Sequence, residues 1–288
     1  MWRGLAGVFP LPTDSCNVEA GARVSQHPRL APCQQDPPDA IARSFAYSGS
    51  AFLCASFASG ARYRYYEWSG IEQDLSVKYD TFRREYTAGG LTREGLDACP
   101  IRQVEIWLEQ AVRADLIDPT GMVLATVDEG GEPRQRIVLL KGLSDAGFVF
   151  YTNHDSDKAH AIECEPRVSL LFPWNVLERQ IIVGGTAEKM SDAESADYFM
   201  TRPRESQIAA WASRQSRPIA DRAMLEQQAE DIRLQFGDGD IPTPAFWGGY
   251  RVVPQRIEFW QGGAHRLHDR FVYRKSAQDT WNIEQLQP

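Results

Sequence analysis

From Gly121 to the C-terminus, short β-branched and aromatic segments follow one another with few helical segments between them. Strands are predicted at residues 121–128, 134–143, 148–152, 167–172, 178–190, 250–260 and 270–273, and near Trp281. Helices are predicted from Pro100 to Asp118-Pro119, at 156–163, and in a polar block at 191–236 that breaks near Pro203 and Pro218. This pattern predicts a mainly β (α+β) chain with flanking helices, whose sheet forms a barrel and not a doubly wound layer.

The chain changes character near residue 75. Residues 1–75 lack lysine and are rich first in proline and then in serine, alanine and glycine, which predicts a disordered N-terminal extension. An organelle-targeting segment and an over-extended start are the alternatives. Residues 76–288 then form the folded domain. Five widely spaced cysteines without a C-x-x-C pair, and no run of about 18 apolar residues, favour a cytoplasmic protein without a membrane span.

Three cationic clusters could bind anions, although the net charge of −8 argues against a nucleic-acid partner. If residues 266–270 are extended, Arg266, His268 and Arg270 share one face, and the alternative is a solvated strand face. Arg136 and Lys141 bracket an apolar run that predicts a buried strand. Strict alternation places those two cations on opposite faces, where they could serve two ligands, and the alternative is a core strand with charged ends.

A third cluster combines the groups that a phosphate monoester needs. Tyr198 and Arg202 are four residues apart on a predicted helix, which Pro203 ends, and Ser206 follows. An ordinary surface helix end is the alternative. The chain has no glycine-rich nucleotide motif and no convincing metal-ligand spacing among its histidines, so no metal is expected and side chains would hold any phosphate.

These residues lie within longer stretches by which residues 80–288 resemble the pyridoxine/pyridoxamine 5'-phosphate oxidase family. The stretches keep the family's order and spacing. They are 83–86 (Arg-Arg-Glu-Tyr), 89–91, 118–120, 136–141, 150–153, 158–160, 166–174, 177–180 (Leu-Glu-Arg-Gln), 202–204, 246–249, 257–263 and 265–271.

The resemblance implies an FMN-binding split β-barrel that forms a homodimer, with FMN in the subunit interface and residues of both chains completing each site. It implies oxidation of pyridoxine 5'-phosphate and pyridoxamine 5'-phosphate to pyridoxal 5'-phosphate, with O2 as acceptor and H2O2 as product. The implied catalytic residues are Arg266 and His268. The implied FMN ligands are Arg136, Ile137, Val138, Leu139, Leu140, Lys141, Tyr151, Thr152, Lys158, Gln180, Gln215, Ser216, Trp260 and Arg270. The implied substrate ligands are Arg83, Tyr86, Lys141, Tyr198, Arg202, Ser206, Arg266, Leu267 and His268.

The sequence departs from the family pattern at two positions. Asp157 stands where the family usually has a basic residue beside the lysine, and Gln285 stands where it usually has arginine. A carboxylate near the FMN phosphate predicts weaker FMN binding than the family norm. Two other functions fit a related chain: a split-barrel flavoenzyme with another substrate, such as a flavin reductase, and a non-catalytic protein that binds flavin or pyridoxal phosphate.

Overall fold

The computed structural model describes residues 84–288, together with two short paired strands, β1 (Ala46–Tyr47) and β2 (Ser50–Ala51). The chain divides into two compact units, Met1–Tyr79 and Asp80–Pro288. The expected disorder of residues 1–75 falls almost wholly outside the described residues, and so does Arg83. Both expectations stay predictions.

The first helix, α1 (Pro100–Arg113), follows from proline and apolar spacing. Pro100 begins the helix, and Val104, Trp107 and Ala111 are buried on the face that packs on the sheet. The helix ends earlier than Asp118-Pro119, because the chain turns into the left-handed region at Asp115, where φ is 51°.

Nine antiparallel strands form one sheet in the described part of the larger unit, with the order β11-β10-β9-β8-β7-β3-β4. Strands β5 and β6 lie outside this linear order, because β6 pairs with β9 and β5 pairs with β6. The strands are β3 (Gly121–Val127), β4 (Pro133–Leu139), β5 (Gly142–Ser144), β6 (Gly147–Asn153), β7 (Arg167–Trp174), β8 (Arg179–Lys189), β9 (Trp247–Gln261), β10 (Asp269–Lys275) and β11 (Trp281–Leu286).

The long strand β9 makes the sheet curl, because it pairs with three other strands. Its first half pairs with β6, its second half with β10, and most of its length with β8. The pairing with β8 shifts register between Gly184 and Gly185. A Cβ atom at Gly185 would lie 2.3 Å from the carbonyl oxygen of Val253, so this irregularity requires glycine.

Four further helices complete the unit: α2 (Asp157–Cys164), α3 (Asp192–Thr201), α4 (Arg204–Ala212) and α5 (Arg222–Phe236). The predicted breaks at Pro203 and Pro218 are confirmed. Ser191 and Glu194 form a capping box at the start of α3. In the part of the chain that the structure describes, no helix has the length and apolarity needed to cross a membrane.

Two hydrophobic clusters hold these elements together. The larger one lies between the sheet, α1 and α2, and it includes the fully buried Leu124, Phe150 and Phe259. The smaller cluster joins α3 and α4 to the start of β9 through Phe199, Ile208 and Trp247, with the preceding loop contributing Ile241. Trp247 therefore fixes the place of the polar helical block against the sheet.

Two local predictions are wrong. The expected buried strand 134–143 divides into β4 and β5, and β4 lies at the end of the sheet order, so Ile137 and Leu139 are 73% and 41% exposed. The expected extended segment 266–270 begins instead in a 3-10 turn, Ala264–Arg266, where His265 and Arg266 have φ values of 55° and 65°. Alternation therefore does not place Arg266, His268 and Arg270 on one strand face.

Candidate active site

A cavity of about 470 Å³ lies beside the edge strand β4. Its walls come from the C-terminal end of β4, the end of β6, α3, α4 and the first residue of β9. Ten of the sequence-predicted site residues line it: Ile137, Val138, Leu139, Lys141, Tyr151, Thr152, Lys158, Tyr198, Arg202 and Gln215. The structure thus brings together residues that are distant in the sequence.

Two partly buried cations lie at one end of this cavity, Lys158 in its lining and Arg136 close by on β4. No carboxylate of residues 84–288 forms a hydrogen bond or ion pair with either of them. Lys158 donates from Nζ to Gln215 Oε1 (2.7 Å), Thr152 Oγ1 (3.1 Å) and Ser156 Oγ (3.2 Å). Burial, and secondarily the charge of Arg136, lowers the pKa of Lys158 to about 8. An anion placed here would stabilise the charged amine, so this end of the cavity is suited to a phosphate group.

Arg136 contributes the second cation from β4. Its Nη1 atom donates to Thr126 Oγ1 (2.8 Å) and to the carbonyl oxygen of Leu124 (3.2 Å), and burial lowers the pKa of its guanidinium. Both acceptors are neutral. The remaining guanidinium donors can therefore bind an anion without first breaking an ion pair.

A tight turn after α4 borders the same end of the cavity. It contains Ser216, a predicted FMN ligand, and Arg217, which no sequence pattern singled out. Ser216 is left-handed (φ 70°), and its Oγ accepts the backbone N–H of Asp157 at 3.3 Å. The next residue, Arg217, donates to the carbonyl oxygen of Asp155 (2.9 Å) and lies 3.7 Å from the Asp157 carboxylate. Arg217 thus partly balances the charge of Asp157, the acid that departs from the family pattern. The one sequence signal for Arg217 was its position directly after Gln215-Ser216.

The other part of the cavity presents the predicted phosphate clamp. The Arg202 guanidinium lies 4.7 Å from the centre of the Trp247 ring, and its buried Nη1 atom has no hydrogen-bond partner among the described residues. Burial lowers the pKa of this guanidinium. Tyr198 stacks on Tyr151 with 4.0 Å between ring centroids. A desolvated, unsatisfied arginine donor calls for an acceptor from a ligand.

Two members of the predicted clamp behave differently from Arg202. Lys141 lines the cavity with an exposed side chain, just beyond the end of β4. Ser206 does not line it, and its backbone N–H bonds the carbonyl oxygen of Pro203 in the first turn of α4. Trp247, which no sequence pattern singled out, fixes the arginine by a cation–π contact.

The residues predicted to contact the substrate ring form a second group. The His268 ring lies 4.7 Å from that of Trp260 and 5.3 Å from that of Tyr86, while the Arg266 guanidinium lies 5.6 Å from the Tyr86 ring. His268 Nδ1 accepts the backbone N–H of Gly263 at 3.1 Å. In the neutral ring the proton therefore lies on Nε2, which can donate to a ligand.

Three further residues that the sequence analysis named lie in this region: Arg270, Leu267 and Gln285. Arg270 donates from Nε to the buried carboxylate of Glu258 at 2.9 Å, so much of its charge is balanced within the protein. Leu267 is 72% exposed. Gln285 pairs with Phe271 across β10 and β11.

Among residues 84–288, no member of the second group lines the larger cavity. Gln180, Trp260 and Tyr86 line a separate cavity of about 180 Å³, and this cavity shares no lining residue with the larger one. The predicted FMN ligands are accordingly divided between the two places.

Comparison with known proteins gives the family. Residues 108–236 match the family model described as pyridoxamine 5'-phosphate oxidase, and residues 247–288 match the model described as the pyridoxine 5'-phosphate oxidase C-terminal dimerisation region. The pyridoxine/pyridoxamine 5'-phosphate oxidases of Escherichia fergusonii and Escherichia coli K12 are each 56% identical over 206 residues, which is 72% of this chain and 94% of the relative.

Solved structures agree with this result. PhzG from Burkholderia lata, crystallised with tetrahydrophenazine-1-carboxylic acid, has 28% identity and a TM-score of 0.65, covering 69% of this chain and 98% of its own. A pyridoxamine 5'-phosphate oxidase-related, FMN-binding protein from Nostoc punctiforme has 17% identity and a TM-score of 0.55, covering 67% and 100%, and supports the fold alone. The predicted split-barrel fold class is confirmed, and the chain belongs to the pyridoxine/pyridoxamine 5'-phosphate oxidase family of oxidoreductases.

Proposed function

We propose that this protein is an FMN-dependent oxidase that converts pyridoxine 5'-phosphate and pyridoxamine 5'-phosphate to pyridoxal 5'-phosphate. Dioxygen accepts the electrons and becomes hydrogen peroxide, and the amine substrate also consumes water and releases ammonia. The observation that carries the proposal is a pair of anion-binding places: Lys158 in the larger cavity with Arg136 close to it on β4, and Arg202 with Tyr198 in the same cavity. A flavin phosphate and a substrate phosphate are two such anions, bound within one site.

The chain's own groups fit FMN. Lys158 and Arg136 would hold its phosphate with Thr152, Gln215 and Ser216, because these are desolvated cations and neutral donors without a bonded carboxylate. The exposed apolar side chains of Ile137 and Leu139 would lie along the flavin ring, which explains why an edge strand exposes them. When bound, FMN supplies the acceptor for the hydride taken from the substrate C4' carbon and passes the electrons to dioxygen.

Binding of the substrate phosphate is assigned to Arg202, Tyr198 and Lys141. The unpartnered Nη1 atom of Arg202 gains its missing acceptor, and the guanidinium stays in place because it rests on Trp247. The phosphate is remote from the reacting carbon, so its binding energy serves to orient that carbon. Ser206, in the first turn of α4, does not line the cavity and is left out of this assignment.

Orientation of the substrate ring is assigned to Arg266 and His268. Because His268 Nδ1 accepts the Gly263 N–H, its Nε2–H is the group available to bond the substrate's ring oxygen or the C4' substituent. The Arg266 guanidinium adds positive charge at the same place, which stabilises negative charge on the substrate as the C–H bond breaks. Tyr86 and Trp260 pack against the His268 ring and shield part of it from water, whereas Arg266 is exposed in the protomer.

We also propose that the protein works as a homodimer in which the second group of one protomer faces the larger cavity of its partner. Two features support this arrangement: no residue of the second group lines the larger cavity, and the family's dimerisation region spans residues 247–288, which include Trp260, Arg266, His268 and Arg270. The exposed apolar residues of β4 would then be covered by both flavin and partner.

Mixing two inactive variants tests this shared site. Arg202→Ala and Arg266→Ala are unfolded and refolded together, so that about half of the dimers contain one chain of each kind. If each site uses Arg202 of one chain and Arg266 of the other, every mixed dimer has one intact site, and the mixture regains about a quarter of the wild-type activity. If both residues act within one chain, mixing restores nothing. Arg113→Ala, an exposed helix residue, replaces one of the two variants in the control mixture.

A further inference from the structure

Glu178 is a buried carboxylate with no role in the chemistry described so far. Its side chain is 8% exposed, and it lies between the 3-10 turn Asn175–Leu177 and the start of β8. Its backbone is left-handed, with φ 55° and ψ 38°. This conformation costs a non-glycine residue about 1 kcal/mol or more, so the presence of glutamate here indicates that the side chain itself is used.

The carboxylate of Glu178 bonds the N-terminal segment, defined here as residues 84–91. Its Oε2 atom accepts the consecutive backbone N–H groups of Thr87 (2.8 Å) and Ala88 (2.9 Å), and its Oε1 atom lies 3.7 Å from Arg84 Nη2. Hydrogen bonds to an ionised acceptor are about twice as strong as neutral ones, and the acceptor side chain here is buried. Glu178 is therefore a strong attachment point for the segment.

The backbone of the same residue bonds the other side of the site. The carbonyl oxygen of Glu178 accepts the N–H of Gly262 at 2.8 Å and the side-chain amide of Gln261 at 3.2 Å. A Cβ atom at Gly262 would lie 2.6 Å from the Tyr86 ring and 3.1 Å from Glu178 Cβ. Glycine is thus required where the segment, Glu178 and the end of β9 approach one another.

This attachment fixes Tyr86, the residue that precedes the two bonded amides. The Tyr86 ring meets Trp260 and His268 edge-on, at 5.8 and 5.3 Å between centroids. Three further hydrogen bonds hold the segment: Arg84 Nη2 to the carbonyl oxygen of Asn175 (2.6 Å), Leu91 N–H to Asp269 (2.9 Å), and His265 N–H to Glu85, which precedes Tyr86. The Glu178 carboxylate differs from these in bonding the two backbone amides that directly follow Tyr86.

We infer that Glu178 is a positioning residue for the substrate-ring site: it holds the N-terminal segment so that Tyr86 covers His268 and Trp260. This inference rests on the proposed function, since it assigns His268 to the substrate ring. It predicts that loss of the carboxylate raises KM for pyridoxine 5'-phosphate about tenfold, while kcat changes less and FMN affinity stays the same.

Glu178→Gly is the decisive variant, because glycine accepts the left-handed backbone and removes only the side chain. Its melting temperature should stay within about 3 °C of wild type, since relief of strain offsets the lost bonds. Glu178→Gln keeps an acceptor oxygen for the two amides, so its KM should stay close to the wild-type value. Glu188→Gln, an exposed position near the end of the strand β8 that Glu178 precedes, is the matched control and should leave KM unchanged.

A double-variant cycle with Tyr86→Ala separates positioning from general damage. If Glu178 acts through Tyr86, Glu178→Gly raises KM in the wild-type background but adds little in the Tyr86→Ala background. Full additivity of the two changes, or an unchanged KM in Glu178→Gly, overturns the inference.

Hydrogen–deuterium exchange provides a readout that does not depend on activity. In the holoprotein, the peptide covering residues 84–91 should exchange about tenfold faster in Glu178→Gly than in wild type, because the amides of Thr87 and Ala88 lose their acceptor. Unchanged exchange overturns the attachment. If wild type oxidises no pyridoxine 5'-phosphate, the proposed function fails, yet the exchange experiment still decides whether Glu178 holds the segment.

Discussion

Replacing Asp157 with asparagine should tighten FMN binding, because this carboxylate borders the place assigned to the flavin phosphate. Its backbone N–H bonds Ser216, and its neighbour Lys158 carries the amine at that end of the cavity. The Asp157 side chain is 69% exposed, so its repulsion of a phosphate is largely screened by water. We assign it about 1 kcal/mol, which corresponds to a factor of about five in Kd.

The ion pair with Arg217 reduces this cost in wild type. Arg217 is 49% exposed and lies 3.7 Å from the Asp157 carboxylate, so it partly neutralises the acid and supplies a positive charge nearby. Arg217→Ala should therefore weaken FMN binding by a similar factor of about five. Asp157→Lys changes two units of charge and should tighten binding more than Asp157→Asn does.

Quenching of flavin fluorescence measures these effects directly when apoprotein is titrated with FMN. Riboflavin, which lacks the phosphate, is the control ligand, and its Kd should not respond to either position. Asp145→Asn, in the exposed turn between β5 and β6, is the control variant. The difference between wild type and Asp157→Asn should shrink at 1 M salt. Equal tightening of riboflavin, or no tightening of FMN, would refute this electrostatic reasoning.

Two further predictions concern the site and the fold. Arg202→Ala should raise KM for pyridoxine 5'-phosphate more than it lowers kcat, whereas Arg266→Ala should mainly lower kcat and leave the Kd of FMN near wild type; steady-state kinetics and flavin titration distinguish the two patterns. His154 is buried and burial lowers its pKa below 6.5, so the unfolded chain binds a proton first and stability should fall as the pH drops below about 6.5. In urea unfolding, His154→Leu should lose this part of the pH dependence, and an unchanged profile would show that another group causes it.

Much of the fold was predictable because hydrophobic spacing and proline report local structure. The helix after Pro100, the breaks at Pro203 and Pro218, and nearly every strand follow the pattern read from the sequence. The exposure of β4 was not predictable, since alternation shows which residues share a face but not whether anything covers that face. The apolar composition of β4 indicated a core strand, whereas Ile137 and Leu139 are exposed in the protomer. Under the proposed function, FMN and the partner protomer would cover these side chains.

The full set of candidate site residues could be proposed only because long stretches of the sequence resemble a known family. Spacing grouped Tyr198 with Arg202 correctly, because both lie on one helix, α3 with its C-terminal cap. It failed for residues 266–270, where two consecutive non-glycine residues, His265 and Arg266, adopt positive φ against their intrinsic preference.

The supporting residues were missed for a different reason. Trp247, Glu178 and Arg217 act through contacts with residues distant in the chain, and no local pattern records such contacts. Glu178 was visible only as part of a stretch that resembles the family. Its left-handed backbone and the two amides it bonds become apparent in three dimensions.

The central claim is tested most directly by supplying the purified protein with FMN and pyridoxine 5'-phosphate under air and measuring aldehyde and peroxide together. We predict one peroxide for each pyridoxal 5'-phosphate formed, and no NAD(P)H consumption when pyridoxine 5'-phosphate is left out. FMN-loaded protein that forms no aldehyde from either the alcohol or the amine substrate would contradict the account and favour a flavin-binding or other-substrate protein.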